Sequence, residues 1–244
     1  MMKYLLLLTA LVMTGCGVSE DCFKNSGSIQ NKNLSIADFD KIRVHSGIEL
    51  VVKQGANYNI RIESGQNIID NIEVSKEGEF LIVKGNTTCN WTRDYKAATV
   101  YVTTPNLIEI HSKTEQDIRS DGILSFPILR LFSLDGSGES GTGDFYLTIN
   151  NGQTVVESNY IANFYLNGYS NELLLNFYFG DGRFYGENLE VENIKVFHRG
   201  SNDMIIKPIQ SVTGKIESTG NVILKNNPPI IDVQQLFTGI LILN

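Results

Sequence analysis

Hydrophobic and polar positions alternate in short segments along much of this chain, and one four-residue pattern returns at a nearly constant interval. In each copy a polar residue precedes three residues that are mostly aromatic or aliphatic, and successive copies are 18 to 20 residues apart. The copies are Asp144–Leu147, Asn163–Leu166, Arg183–Gly186, Asp203–Ile206 and Asn221–Leu224. A period near 20 residues with short extended segments is typical of a solenoid, in which each coil buries its apolar face against the next.

The alternation within this repeat predicts which side chains face the interior, because successive side chains of a strand point to opposite faces. The second and fourth positions, which we expect inside, carry Phe145, Phe164, Phe184, Met204 and Val222, and Leu147, Leu166, Gly186, Ile206 and Leu224. The third position, which we expect outside, carries Tyr146, Tyr165, Tyr185, Ile205 and Ile223. This outer tyrosine ladder is either a ligand surface or a stack that stabilises the parallel sheet or packs against a neighbour.

The remaining segments also have the pattern of strands, and no helical periodicity of useful length occurs. Before residue 107 the pattern is less regular, with a hairpin predicted around Glu77–Glu79 and one helical turn or bend at Asn67–Asn71. After residue 107 each coil has a corner of polar or glycine residues: Thr114–Gln116, Ser137-Gly138, Asn159-Tyr160, Asp181-Gly182, Ser201-Asn202 and Thr219-Gly220. The apolar segment Ile240–Leu243 is expected to cover the open end of the stack.

The first fifteen residues have the features of a lipoprotein signal peptide. Lys3 gives a positively charged start, and the apolar run Leu5–Met13 is too short to span a bilayer, which needs about 20 residues. Met13–Cys16 resembles the bacterial lipobox, with Met13 in place of the commoner leucine. We therefore expect Cys16 to be acylated and to hold the protein on a membrane; an ordinary signal peptide with an incidental cysteine is the alternative.

The residues after Cys16 bear on location and domain organisation. Gly17 is not the aspartate that retains many lipoproteins in the inner membrane, and Ser19–Asp21 is similar to the acidic surface-export signal of Bacteroidota lipoproteins; a plain polar linker is the alternative. Residues 16–28 lack a core-forming pattern and are expected to be a flexible tether. Residues 29–244 are expected to form a single β-solenoid domain of an outer-membrane lipoprotein, which faces either the cell surface or the periplasm.

Composition agrees with an exported globular protein and argues against some partners. The chain has 244 residues, 42% of them hydrophobic, and a formal net charge of −7. Its lysines and arginines are scattered, so neither nucleic acid nor an anionic lipid surface is an expected partner.

The cysteines and the single tryptophan leave alternatives open. If Cys16 carries lipid, Cys22 and Cys89 remain in an oxidising compartment, where they pair as a disulfide or stay as two thiols. A bridge closing a loop of about 67 residues would contribute roughly 4 kcal/mol in the chain-entropy model. Trp91, close to Cys89, either stacks on a sugar or packs beside that bridge.

Two segments carry a family resemblance. Asp38–Val44, followed by Ser46–Gly55, resembles the opening of the GIN-domain family, DUF2807, named for a putative auto-transporter adhesin head. The corners Asp135–Gly138 and Ser218–Val222 are similar to its internal repeats, and the resemblance covers roughly residues 30 to 230. It implies an all-β, right-handed parallel β-helix-like solenoid of about 20-residue coils, with a less regular β N-terminal part. It also implies export and often lipidation, but no established activity and no catalytic residues.

The chain departs from the family pattern at a few positions. Asn159-Tyr160 and Ser201-Asn202 stand where the family has glycine corners, and Gly186 interrupts the inner leucine column. We expect irregular coils at these places.

The polar residues give little sign of chemistry. His45, His111 and His198 lack the spacing of metal ligands, so no metal or cofactor is predicted. A calcium ion, if one bound the glycine-rich corner, would use Asp135, Glu139 and Asp144, but a plain corner is the favoured interpretation. An enzyme would need charged groups such as Glu157 or Asp181 beside Arg183.

The sequence thus predicts a non-enzymatic, lipid-anchored, adhesin-like envelope protein that binds a glycan or a surface protein, or serves as a scaffold. Tyr146, Tyr165, Tyr185 and Trp91 are the candidate ligand residues. A β-helix enzyme acting on polysaccharide is the alternative, and a passive scaffold in envelope-stress sensing is a third hypothesis.

Overall fold

A computed structural model describes residues 25–86, 96–134 and 141–243. These residues form 17 β-strands and one turn of 3-10 helix at Ile69–Asn71, with no α-helix among them. Cys16, Cys22, Cys89, Trp91, Asp135 and Glu139 lie outside the described residues, as do the signal segment and most of the tether.

The strands are β1 (Ile29–Leu34), β2 (Lys41–His45), β3 (Ile48–Gln54), β4 (Asn59–Gly65), β5 (Ile72–Glu77), β6 (Phe80–Gly85), β7 (Ala98–Thr104), β8 (Glu109–Lys113), β9 (Ile118–Leu124), β10 (Ile128–Ser133), β11 (Phe145–Ser158), β12 (Phe164–Phe177), β13 (Phe184–His198), β14 (Met204–Ile216), β15 (Val222–Leu224), β16 (Ile230–Gln235) and β17 (Leu241–Leu243).

Parallel pairing arranges these strands on two faces of a β-solenoid. The first face stacks β7, β3, β9, the N-terminal halves of β11 to β14, β15 and β17. The second face stacks β6, β2, β8, β10, the C-terminal halves of β11 to β14, and β16. Each coil contributes one segment to each face, which confirms the predicted solenoid.

The register places each copy of the sequence repeat directly on the next. Phe145 pairs with Phe164, Phe164 with Phe184, Phe184 with Met204, and Met204 with Val222. The inner columns are buried as predicted: Phe145, Phe164 and Phe184 are each 0% exposed. The rings of Phe145 and Phe164 stack with centroids 4.6 Å apart, and Phe177 of the second face contacts Phe164 at 5.8 Å. The core is therefore a continuous column that both faces share.

The N-terminal part is inserted into the stack rather than added before it. Strands β2 and β3 lie between the coil of β6 and β7 and the coil of β8 and β9. Antiparallel strands close this end: β4 pairs with β7, β1 with β4, and β5 with β6. The β5–β6 connection is the predicted hairpin, with Gly78 at φ 61°.

Strands β11 to β14 are longer than predicted because each one continues around a bend from the first face to the second. At this bend Ser170 donates to Asn151 Oδ1 at 2.7 Å, and both residues are buried. This bond pairs the Ser170 hydroxyl with Asn151 Oδ1, two buried polar groups whose burial would otherwise cost free energy.

Gly186 does interrupt the regular register, as predicted. Pairing of β12 with β13 shifts between Tyr165 and Gly168, and that of β13 with β14 shifts after Tyr185. A Cβ at Gly186 would lie 2.5 Å from Phe184 Cε1, so the buried ring leaves no room for the leucine found in other coils.

A ladder of side chains at one corner was not predicted. Asn163 donates through its backbone N–H and Nδ2 to Asp144 Oδ1, at 3.0 and 3.1 Å. Asn221 makes the same two bonds to Asp203, at 3.0 and 2.9 Å. The Arg183 N–H donates to Asn163 Oδ1 at 3.1 Å. The polar first residue of the repeat therefore ties a coil to the one before it at three of the four steps.

The prediction that Ile240–Leu243 covers the C-terminal end of the stack was wrong. Leu241–Leu243 pairs in parallel with Val222–Leu224, so it forms another rung of the first face instead of crossing the end of the stack. The apolar alternation that suggested a cover is the same alternation that continues the inner column.

Replacing Phe164 with alanine should lower the free energy of unfolding by about 3–5 kcal/mol, because it empties a buried position between two stacked rings. Phe179→Ala is the matched control, since Phe179 is 55% exposed, and it should change stability by no more than about 0.5 kcal/mol. Urea unfolding monitored by circular dichroism measures both. Similar losses in the two variants would contradict the buried phenylalanine column.

His198 should make stability depend on pH. Burial lowers the pKa of this fully buried imidazole, whose Nδ1 accepts a hydrogen bond from the Gly200 N–H at 3.4 Å. In the unfolded chain the His198 imidazole binds a proton near pH 6.5, whereas in the folded protein it does so only at lower pH. The free energy of unfolding is therefore highest above about pH 6.5 and falls as the pH drops below this value. His198→Gln should flatten this dependence between pH 7.5 and 5, although His111, whose pKa burial also lowers, keeps part of it. An unchanged slope would contradict this role.

Candidate ligand surface

The tyrosine ladder lies on the outside of the first face, as predicted. Tyr146 and Tyr165 stack with ring centroids 4.7 Å apart and planes 1° apart; for Tyr165 and Tyr185 the values are 4.5 Å and 3°. All three side chains are partly exposed. The in-register parallel pairing of β11, β12 and β13 produces this geometry, because it places equivalent residues one rung apart.

The two ends of the ladder differ chemically. The Arg119 guanidinium lies 4.3 Å from the ring centroid of Tyr146, in cation–π contact. Arg119 Nε also pairs with Glu49 Oε1 at 3.2 Å. At the other end the column continues with Ile205, paired with Tyr185, and then Ile223. The outer column is therefore an uncharged stripe across five coils, made of Tyr146, Tyr165, Tyr185, Ile205 and Ile223. The Arg119 guanidinium lies at its Tyr146 end.

Neighbouring rings in the stack cover most of the ring faces of the tyrosine ladder. Tyr165 has a neighbouring ring on each side, so it presents its edge and its hydroxyl group to solvent. Desolvation by burial, with Asp144 nearby, raises the pKa of Tyr165 to about 12, and burial also raises the pKa of Tyr146. The raised pKa values keep the hydroxyls of Tyr146 and Tyr165 protonated at neutral pH, and that of Tyr146 donates to Asp144 Oδ2 at 3.4 Å. The stripe can offer hydrogen-bonding hydroxyls and apolar edges, while stacking of a sugar on a tyrosine face is blocked inside the ladder.

A charged cluster on the second face was missed by sequence reasoning. Arg130 of β10 lies between Glu109 of β8 and Glu157 of β11, with N–O distances of 3.3 and 3.4 Å. His111 Nε2 contacts Glu109 at 2.9 Å, and the Tyr178 hydroxyl donates to Glu157 at 3.1 Å. Arg130 is 21 positions from Glu109 and 27 from Glu157 in sequence, so only the register of the coils brings the three together.

This cluster is arranged as a network of mutual pairs. Glycoside cleavage needs two carboxyl groups with room for the substrate between them. Here Arg130 bridges Glu109 and Glu157. Burial lowers the pKa of His111, so its imidazole is neutral at pH 7.

The charge pairs suggested for an enzyme do not form. Glu157 belongs to the second-face network just described. Arg183 lies at the start of the first face and donates to Asn202 Oδ1 at 2.9 Å. Asn202 in turn donates to the backbone carbonyl of Asp181. These residues hold a corner together.

The second face also carries two adjoining grooves near its C-terminal coils. Their volumes are about 300 and 370 Å³, and Lys195 and Thr213 line both. Polar side chains at the rim include Asn193 and Gln234. This region is the second surface on which a polar ligand could lie.

Metal ligation finds no support in the part of the chain that the structure describes, where no three His, Cys, Asp or Glu side chains converge. Asp144, one of the three calcium candidates, accepts from Asn163 in the corner ladder. Within residues 25–86, 96–134 and 141–243 there is also no helix of the length and apolarity needed to cross a membrane.

Comparison with solved structures finds the same fold in putative adhesins and in a putative lipid binding protein. A putative adhesin from Bacteroides fragilis superposes with a TM-score of 0.79 at 17% identity, covering 91% of this chain and 100% of that one. A putative lipid binding protein from Parabacteroides distasonis gives 0.64 at 13% identity, covering 90% and 100%. A putative adhesin from Parabacteroides merdae gives 0.61 at 16% identity, covering 88% and 97%. At these identities the likeness supports the fold alone.

No curated protein sequence matches the chain. The model of the family described as "Putative auto-transporter adhesin, head GIN domain" matches residues 38–228. That match begins at Asp38, where the opening motif begins, and it includes every copy of the 20-residue repeat. The chain therefore belongs to the DUF2807 family of GIN-domain proteins.

Proposed function

We propose that this protein is a lipid-anchored, non-catalytic, adhesin-like protein of the bacterial cell surface. The observation that carries the proposal is the uncharged stripe of Tyr146, Tyr165, Tyr185, Ile205 and Ile223, which runs unbroken across five coils of the first face. A rigid stripe of hydroxyl groups at the spacing of β-strands suits an extended partner. Such a partner is a surface protein segment or a glycan chain that forms hydrogen bonds with successive hydroxyls.

Several features support binding over catalysis. The carboxylates of the second face are bridged by Arg130, and the family is described by adhesion rather than by a reaction. The solved relatives that share most of this fold are named as adhesins or a lipid binding protein. Turnover of any member of a polysaccharide panel by the purified protein would contradict the non-catalytic part of the proposal.

The proposed lipid anchor rests on Met13–Cys16, which resembles a lipobox, and residues 16–28 are the proposed flexible tether. Cys16→Ala removes the thiol that accepts the lipid, so the variant should move from the membrane pellet to the soluble fraction. Cys22→Ala is the matched control and should leave the protein in the pellet. Fractionation followed by immunoblotting measures both, and a Cys16→Ala chain that stays in the pellet would refute the anchor. Protease shaving of intact cells then tests exposure at the surface.

The stripe is tested by removing hydroxyl groups while keeping the stack. A Tyr146→Phe, Tyr165→Phe, Tyr185→Phe variant should bind at least about tenfold more weakly, because each lost hydrogen bond contributes about 1 kcal/mol. Tyr178→Phe, on the second face, is the control and should bind like the wild type. Binding of labelled protein is measured on a printed panel of glycans and extracellular-matrix proteins.

A variant of the second face tests which of the two faces binds the partner. Lys195→Ala alters the second-face grooves and leaves the stripe intact. If this variant loses binding and the triple tyrosine variant does not, the partner uses the second face and the proposal for the stripe is wrong.

A further inference from the structure

The C-terminal end of the solenoid carries an unusual concentration of exposed apolar side chains. Eleven large hydrophobic residues are exposed among those described, and six of them lie in the last coil. They are Ile230, Ile231, Leu236, Phe237, Ile240 and Leu243, with exposed fractions of 41 to 63%. Exposed apolar patches of this kind mark interaction surfaces more often than isolated exposed residues do.

The backbone at this end is also left without a strand partner. Within the described residues β16 pairs only with β14, and β17 pairs only with β15. Val233 and Leu241 pack on the core from one side, and no other described strand is stacked on them. The terminal coil therefore exposes two strand edges and a cross-section through the hydrophobic interior.

The charges at the two ends differ. Between Asn226 and Leu243 the only charged residue is Asp232. At the opposite end the edge strand β5 carries Glu73, Lys76 and Glu77. Charged side chains on an edge strand prevent unwanted pairing with other chains. The N-terminal end has this protection, whereas the C-terminal end is open to pairing.

We propose that two copies of this chain dock end to end through their C-terminal coils. In this arrangement β16 and β17 continue their sheets into the second copy with antiparallel pairing across a two-fold axis. The corner residues Leu236, Phe237 and Ile240 cover the interior of the partner coil. The interface is isologous, so it closes at two copies and leaves no free edge at the junction.

A second copy fits this end better than a single extended peptide does. The two unpaired edges lie on different faces of the solenoid, so one peptide strand would cover β16 or β17 and leave the other edge exposed. A second copy has the same cross-section and offers both edges at once. Each chain has a net charge of −7, and the nearly uncharged end is where two such molecules can approach with the least repulsion.

The end-to-end arrangement leaves the first face and its tyrosine stripe uncovered. It also places the two copies of Asn25, where the described chain starts, at the outer ends of the pair. The inference is thus independent of what binds the stripe.

Sedimentation velocity of the full chain carrying Cys16→Ala tests the proposal. The protein should pass from monomer to dimer as its concentration rises from about 1 to about 100 µM. Phe237→Lys should raise the dissociation constant at least tenfold, because it puts a charge in the desolvated centre of the interface. Leu236→Lys is a second variant at the same corner. Phe179→Lys is the control, at another exposed phenylalanine that lies outside the last coil. Circular dichroism confirms that each variant is folded.

Several outcomes would overturn the proposal. A protein that stays monomeric at every concentration excludes the pair. Equal weakening by Phe179→Lys and Phe237→Lys places the contact elsewhere. Hydrogen exchange must also slow in β16 and β17 when the dimer forms, and slowing confined to other strands contradicts end-to-end docking. Open-ended polymers rather than dimers would contradict the two-fold interface.

Discussion

In-register parallel pairing between successive coils is the constraint on which the rest of the structure depends. It places each position of the 20-residue repeat above the same position of the previous coil, so that phenylalanine packs on phenylalanine and tyrosine on tyrosine. A shift of one residue would exchange the two columns, burying Tyr165 and exposing Phe164. The Asp/Asn ladder at the corner strengthens the register, because Asn163 reaches Asp144 only when the coils are aligned.

The same constraint shapes the surfaces that are available for function. Side chains gather into stripes that cross the coils, and groups distant in sequence become neighbours at the spacing of paired strands. The tyrosine stripe and the Glu109–Arg130–Glu157 network both arise in this way, one from identical residues and the other from complementary charges. In the described part of the chain, β16 and β17 are the last strands of the stack, and each is paired along one edge alone.

The sequence alone predicts those features that depend on local repetition. The inner and outer columns, the Gly78 hairpin and the irregular coil at Gly186 follow from alternation and from glycine, and the structure agrees. The position of β2 and β3 between later strands does not follow, because nothing local in Lys41–Gln54 specifies its neighbours. The bounds of strand β9 do not follow from alternation either, because its middle residues, Arg119 to Gly122, are polar or glycine. The bare C-terminal end was missed because Ile240–Leu243 has the same pattern whether it covers a stack or extends it.

Double-mutant cycles along the tyrosine ladder test the central claim, the register of the coils, most directly. Tyr146→Ala and Tyr165→Ala should show a coupling energy of about 0.5–1.5 kcal/mol in unfolding free energy, because their rings are in contact. Tyr165→Ala and Tyr185→Ala should couple to a similar extent. Tyr146→Ala and Tyr185→Ala, two rungs apart, should be additive within about 0.5 kcal/mol. Additive effects in both neighbouring pairs, or strong coupling only between Tyr146 and Tyr185, would contradict the register and with it the stripe, the core column and the corner ladder.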